Sequence, residues 1–160
     1  METERLTLRP VAESDVDSLR ALHADAEVMR FLDPAPVENY LGDSFHAAHD
    51  KATGRFVGWF ELRPTGSGEA ELGYRLHREF WGLGYATEGA KALIERGFTV
   101  GGVRRVVATT MFVNAGSRRV MEKCGLRHVR TFHVDFPDPL PGSEYGEVEY
   151  ALTKEEWQQA

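Results

Sequence analysis

The chain has 160 residues, 42% hydrophobic and 28% charged, the composition of a globular protein long enough to bury a sizeable core. Its formal net charge of −6 argues against broad nucleic-acid binding, which needs a cationic footprint. A lone cysteine, Cys124, excludes an intrachain disulfide, and no stretch reads as a signal peptide or membrane span, so a cytoplasmic protein is expected.

Leu6 and Leu8 alternate with Arg5, Thr7 and Arg9, so residues 4–10 read as a half-buried strand that Pro10 ends. Ser14 reads as the N-cap of a helix with Asp15 and Asp17 in its first turn and Val16, Leu19, Leu22 and Ala26 as its apolar stripe. Pro34 and Pro36 interrupt residues 31–43, leaving room for a short helical turn near 37–41. Strands are expected over 44–49 and 55–63, joined by a turn at Lys51-Ala52-Thr53-Gly54. A further strand over 69–76 follows Thr65-Gly66-Ser67-Gly68 and places Leu72, Tyr74 and Leu76 on one face.

The spacing predicts a helix over about 85–99, with Ala90, Leu93, Gly97 and Phe98 on its apolar side. Residues 103–112 are apolar on both faces in their second half, as in a central strand. Strand, helix and strand at this spacing make 69–76 and 103–112 parallel neighbours. A short helix is expected over 115–124, closed by Gly125, and strands over 126–136 and 146–152 finish the sheet. The result is one α/β domain over 1–160 with a mixed sheet.

The chemistry centres on Trp81-Gly82-Leu83-Gly84-Tyr85-Ala86-Thr87-Glu88. Two glycines before a helix let a ligand approach the backbone, and the helix start offers unpaired N–H groups and a positive dipole end. A P-loop would need a lysine where Tyr85 and Ala86 stand. A dinucleotide fingerprint would need a small residue at Thr87 and a ribose-binding acid near Val103-Arg104-Arg105-Val106. A coenzyme A pyrophosphate turn needs only the backbone donors and the helix start. Glycines that merely permit tight packing remain the alternative. Downstream, Asn114 suits an N-cap, and Ser117 shares the inward stripe of Val120, Met121 and Cys124, where its hydroxyl needs a partner or a ligand.

These pieces together resemble the GNAT acyltransferases, in particular the branch of ribosomal-protein N-terminal acetyltransferases. The matching segments are Leu6-Thr7-Leu8-Arg9-Pro10, Glu71-Leu72-Gly73-Tyr74, the 81–88 turn, Asn114 with Ser117, Glu122-Lys123-Cys124-Gly125-Leu126, and Tyr150-Ala151-Leu152-Thr153 with Trp157. The resemblance implies a GNAT fold with two splayed parallel central strands. It implies acetyl-CoA as co-substrate, with pantetheine paired to backbone near Tyr74 and Leu76 and pyrophosphate on the amides of Gly82, Leu83, Gly84, Tyr85, Ala86 and Thr87. Asn114 would bond the pantetheine end, Ser117 would protonate the leaving thiolate, and a primary amine would attack the thioester directly. That amine would be a protein N-terminus or a small molecule. Transfer of another acyl group such as succinyl, or acyl-CoA binding without turnover, are the alternatives, and a homodimer is possible. The sequence departs from the family in carrying Glu79 where Gln or Arg is usual, and in the short segment before residue 44.

A general base is also required. Glu71 on the cofactor strand is the catalytic candidate, and Glu88, in the first turn of its helix, reads as dipole compensation. His133 and Asp135 alternate with Phe132, Val134 and Phe136 and so share a face ahead of the proline-rich loop. The resemblance implies that this loop lies over the acceptor, which makes them acceptor-site candidates. His46 and His49 lack a third ligand, so no metal is expected.

Overall fold

The structure, a computed structural model, describes residues 1–32, 37–135 and 137–160. Pro34, Pro36 and Phe136 lie outside the described residues. The strands are β1 (Leu6–Val11), β2 (Gly42–Asp50), β3 (Phe56–Gly66), β4 (Glu69–Leu76), β5 (Arg105–Met111), β6 (Arg127–Phe132) and β7 (Glu147–Thr153). The helices are α1 (Val16–His23), α2 (Tyr85–Thr99), α3 (Ala115–Lys123) and α4 (Lys154–Gln159). The seven strands form one sheet in the order β1-β2-β3-β4-β5-β7-β6. β4 and β5 are parallel and every other pair is antiparallel. This is a mixed α/β architecture with one parallel central pair, as the GNAT resemblance implies.

Each face of the sheet carries its own core. On one face Phe60, Leu72, Leu76, Val106, Ala108, Val148 and Leu152 pack beneath Ala90, Leu93, Ile94 and Phe98 of α2 and Met121 of α3. Gly89 lets α2 lie close to β3, because a Cβ there would come within 2.3 Å of the Phe60 ring. On the other face Leu19 and Leu22 of α1 join Val11, Val28, Tyr40, Ala47 and Trp59. Full burial of each large side chain in these clusters contributes about 1.5–3 kcal/mol.

Several boundaries differ from the sequence expectation. Pro10 does not end β1, which runs to Val11. β1 is an edge strand, where a missing N–H costs no ladder bond. Ser14 is not the cap of α1. It lies in a 3-10 turn; Asp15 holds the N-cap position of α1 without a side-chain bond to that helix, and its carboxylate instead ties down the start of the turn. The buried Asp15 carboxylate accepts from the Ala12 N–H at 2.8 Å and takes both Arg9 Nη atoms at 2.7 and 2.8 Å. α1 stops at His23, which leaves Ala26 outside it. β6 stops at Phe132 rather than 136 because, save for half-buried Phe132, it is solvent-exposed along its length and no core enforces its alternation. α4 was not foreseen; it starts from a Thr153–Glu156 capping box directly after β7. No helix among the described residues is long and apolar enough to cross a membrane.

Candidate active site

The decisive geometric feature is where β4 and β5 part. They pair at Glu69–Arg105, Ala70–Val106 and Glu71–Val107 and not beyond. After that point Leu72–Leu76 pair only with β3, and Ala108–Met111 only with β7. The sheet therefore opens into a V at the carboxyl ends of its two parallel strands, which is where open sheets bind ligands.

On the α2–α3 face the V is flanked by two helix starts. Gly82 and Gly84 both have positive φ, 71° and 85°, and a Cβ on Gly82 would meet nothing within 4 Å. Gly84 occupies the N-cap position of α2, and no side chain caps that helix. The first-turn amides of Tyr85, Ala86 and Thr87 thus have no partner within the helix. Leu83 is 56% exposed and lies open at the tip of the turn. The turn is tied down by Arg5, which donates Nη1 to the Leu83 carbonyl at 2.9 Å and Nε to Glu88 at 2.8 Å and stacks 4.0 Å over the Tyr85 ring. Glu88 also accepts from the Arg5 amide and the Thr3 hydroxyl, so it braces this turn. Glu79 is ion-paired with Arg55 at the surface.

Deeper in the V, the Tyr74 hydroxyl lies 3.0 Å from both the carbonyl and the Oγ of Ser117. Burial holds the Tyr74 phenol well above its ordinary range, so it stays neutral. When the Tyr74 proton goes to the Ser117 carbonyl, the Ser117 hydroxyl is the donor of the pair, its proton resting on the Tyr74 oxygen. Asn114 caps α3: its Oδ1 accepts from the Ser117 amide at 3.2 Å, and its Nδ2 donates to the Thr110 hydroxyl at 3.1 Å. Both ends of its amide are engaged. The Leu76 carbonyl already accepts from the Trp81 indole at 2.9 Å. Cys124 is buried beneath α3, and burial raises its thiol to about 11, so it is a protonated core residue.

On the opposite face a cavity of about 210 Å³ adjoins the β5 side of the V. It is lined by Phe31, Leu32, Thr109, Met111, Leu140 and Glu147, among others. Burial raises the Glu147 carboxyl above the ordinary carboxylate range, and no side chain among the described residues pairs with it. A more open depression of about 450 Å³ lies at the other end of β5, around Gly102, Arg104 and Lys154, and shares no residue with the V.

The sequence-predicted candidates separate here. Ser117, Tyr74, Leu76, Asn114 and the 82–87 turn flank the V from one face. Glu71 lies on the other face, but at the closed end of the V, with Arg63 2.9 Å from its carboxylate. His133 and Asp135 are exposed beyond the end of edge strand β6 and do not line the cavity. The His133 ring instead packs against Gly146, where a Cβ would lie 3.1 Å from Nε2. The sequence reading missed Glu147; its only signal was alternation with Val148 and Tyr150, which gives a face and not a cavity.

Comparison with known proteins agrees with this geometry. The Acetyltransferase (GNAT) domain family matches residues 5–127. The chain belongs to the GNAT acetyltransferase family. It is 35% identical to the FsC-acetyl coenzyme A-N(2)-transacetylase of Aspergillus fumigatus, over 98% of this chain and 77% of that protein. A GNAT-family acetyltransferase structure from Bacillus anthracis superposes with a TM-score of 0.85 at 25% identity, covering 97% of this chain and 98% of that one. The ribosomal L7/L12 alpha-N-protein acetyltransferase, in complex with coenzyme A, superposes with a TM-score of 0.76 at 20% identity over 94% of this chain and 95% of that one, a likeness of fold alone. This GNAT protein is an acyltransferase that draws on acetyl-CoA.

Proposed function

We propose that the protein moves the acetyl group of acetyl-CoA to a primary amine by direct attack, with donor and acceptor entering the V from opposite faces. The observation that carries this reading is the three-pair limit of the β4–β5 ladder, with the Ser117 hydroxyl on one side of the opening and an unpaired, half-buried Glu147 on the other. In this reading the amides of 82–87 hold the pyrophosphate, and the free edge of β4 near Tyr74 receives the pantetheine. Asn114 shapes the end of that channel by capping α3 rather than by a free amide.

The chemistry then follows from the two faces. Glu147 takes a proton from the incoming ammonium, and the freed nitrogen lone pair forms a bond to the thioester carbonyl carbon. As the tetrahedral intermediate collapses, the carbon–sulfur bond breaks and the electron pair leaves on sulfur. Ser117 donates the proton that converts thiolate to CoA thiol and recovers one from solvent, the second proton of the attacking nitrogen leaves to water as the neutral amide forms, and Tyr74 holds Ser117 in place. Glu71 is less suited to the base role, because Arg63 neutralises it at the closed end. The acceptor is a small-molecule amine or a protein N-terminus; membership of the ribosomal-protein branch would favour the second.

Thiol release tests the reading. Purified protein given acetyl-CoA and a panel of primary amines is expected to liberate free CoA only when an amine is present. CoA binding with no amine-dependent release would assign the protein to acyl-CoA binding without turnover, and faster release from succinyl-CoA would change the donor.

A further inference from the structure

We propose that the acceptor is zwitterionic, a primary amine that also bears a carboxylate, with the carboxylate seated against Arg75 and His23 and the ammonium facing Glu147. This rests on the acetyltransfer reading above and narrows its acceptor.

Arg75 is the starting point. It lies on β4 past the point where the V opens, on the acceptor face, and only 8% of its surface is exposed. Its guanidinium sits 5.1 Å from the Trp59 ring, and Nη1 lies 3.2 Å from the Met29 sulfur. Its Nε is buried with no acceptor. Glu61, diagonal to it across the β3–β4 ladder, is held by Arg63 at 3.0 Å. The Tyr40 hydroxyl is the favourable polar neighbour of Arg75, and among the described residues no carboxylate pairs with it. A buried cation without a carboxylate is costly, and a bound anion would supply the partner it lacks. The other arginines that lean on this sheet are paired: Arg9 with Asp15, Arg63 with Glu61 and Glu71, Arg105 with Glu69.

His23 adds a second donor. Its Nε2 accepts from the Trp59 indole N–H at 3.3 Å. An indole can only donate, so the ring proton of neutral His23 is on Nδ1. That Nδ1 is buried and has no acceptor. Burial, and then the charge of Arg75, lower the His23 pKa to about 4, so the ring is neutral at physiological pH. Two buried N–H donors, one of them charged, thus flank Trp59 without an acceptor. The complementary group is a small anion with in-plane oxygens, which is a carboxylate.

The placement links this pair to the reacting centre. Directly paired residues of parallel strands share a face, so Glu71 and Val107 fix Gly73 and Arg75 on the same face as Thr109 and Met111. Glu147 opposes Met111 in the β5–β7 ladder and joins that face. One covering segment spans both ends: Met29 touches Arg75, while Phe31 and Leu32 line the cavity beside Glu147. A positive end on β4 and a negative end on β7, with the V between them, fit an ammonium and a carboxylate of opposite orientation. A polyamine would set a second cation against Arg75.

The test uses the whole enzyme with acetyl-CoA and amino acids of graded length, each beside the amine that lacks its carboxylate and the matching diamine. CoA release gives kcat/KM for each member. Wild-type protein is expected to prefer the carboxylate-bearing member by roughly tenfold or more, the effect of one charge-assisted contact. Arg75→Met is expected to bring that ratio toward one, and Arg75→Lys to keep part of it. Equal or better use of the diamine by wild-type protein overturns the inference while leaving acetyltransfer intact, and needs no variant. An undiminished preference in a folded Arg75→Met protein overturns it as well. No CoA release from any member, with CoA still bound, overturns the inference together with the acetyltransfer reading.

Discussion

Replacing Gly84 by Asp puts a negative charge where the account seats a pyrophosphate. Gly84 has φ 85°, a left-handed conformation, and a Cβ there would lie 3.2 Å from Arg5 Nη2, the movable end of a side chain. Asp and Asn both tolerate this conformation better than other residues, so Gly84→Asn is a near-isosteric neutral control. One like charge about 5 Å from a phosphate, at an effective dielectric of about 20, opposes binding by about 3 kcal/mol. Salt screens part of this at physiological ionic strength. Arg5 is already committed to Glu88 and the Leu83 carbonyl, so it can offset little of the new charge. Relative to Gly84→Asn, Gly84→Asp should therefore weaken CoA binding by roughly 10- to 100-fold. Isothermal calorimetry with CoA on both variants, with a melting curve to verify folding, measures the difference. Equal affinities would show that no anionic group rests at this turn.

Three further outcomes follow. Ser117→Ala should lower kcat by roughly 100-fold, the scale of general-acid catalysis, while the calorimetric Kd for CoA stays within twofold of wild type, roughly; full kcat would leave Ser117 a packing residue. Glu147 must be ionised to act as base, and burial raises its pKa, so kcat/KM should fall as pH drops through a value above the ordinary carboxylate range. In Glu147→Gln the rate should be lower and that acid limb absent, and an unchanged profile would remove Glu147 from the mechanism. Burial opposes ionisation of Asp15, but the Arg9 hydrogen bonds and the Ala12 amide outweigh it and hold its pKa below the usual value. Because the folded pKa is depressed, this contribution is complete above the unfolded carboxylate pKa and is lost as pH falls through the folded one. Asp15→Asn should destabilise the protein by about 2–3 kcal/mol at neutral pH in urea unfolding, with the deficit shrinking in acid. A deficit that does not change with pH would assign the loss to packing.

Much of this site was legible because it depends on local pattern. The strand–helix–strand spacing over 69–112 gave the parallel pair, the two glycines gave the uncapped start of α2, and Asn114 capped α3 as its residue type suggests. The inward serine did need a partner, but that partner, Tyr74, lies 43 residues earlier, a distance local pattern cannot bridge. Glu147, Arg75 and His23 were missed for a related reason. Their significance lies in what fails to pair with them, and this depends on the β4–β7 arrangement and on the covering segment near Met29. The end of β6 was illegible because an exposed edge strand places little demand on its alternating residues, so His133 and Asp135 gave a strand signal that the fold does not use.

The most direct test of the whole account is the initial-velocity pattern for CoA release as acetyl-CoA and the best amine are varied together. Direct attack across the V requires both substrates on the protein at once. Intersecting double-reciprocal lines are therefore predicted, with no acetylated protein in the intact mass spectrum of enzyme given acetyl-CoA alone. Parallel lines together with an acetyl group on Ser117 would contradict it.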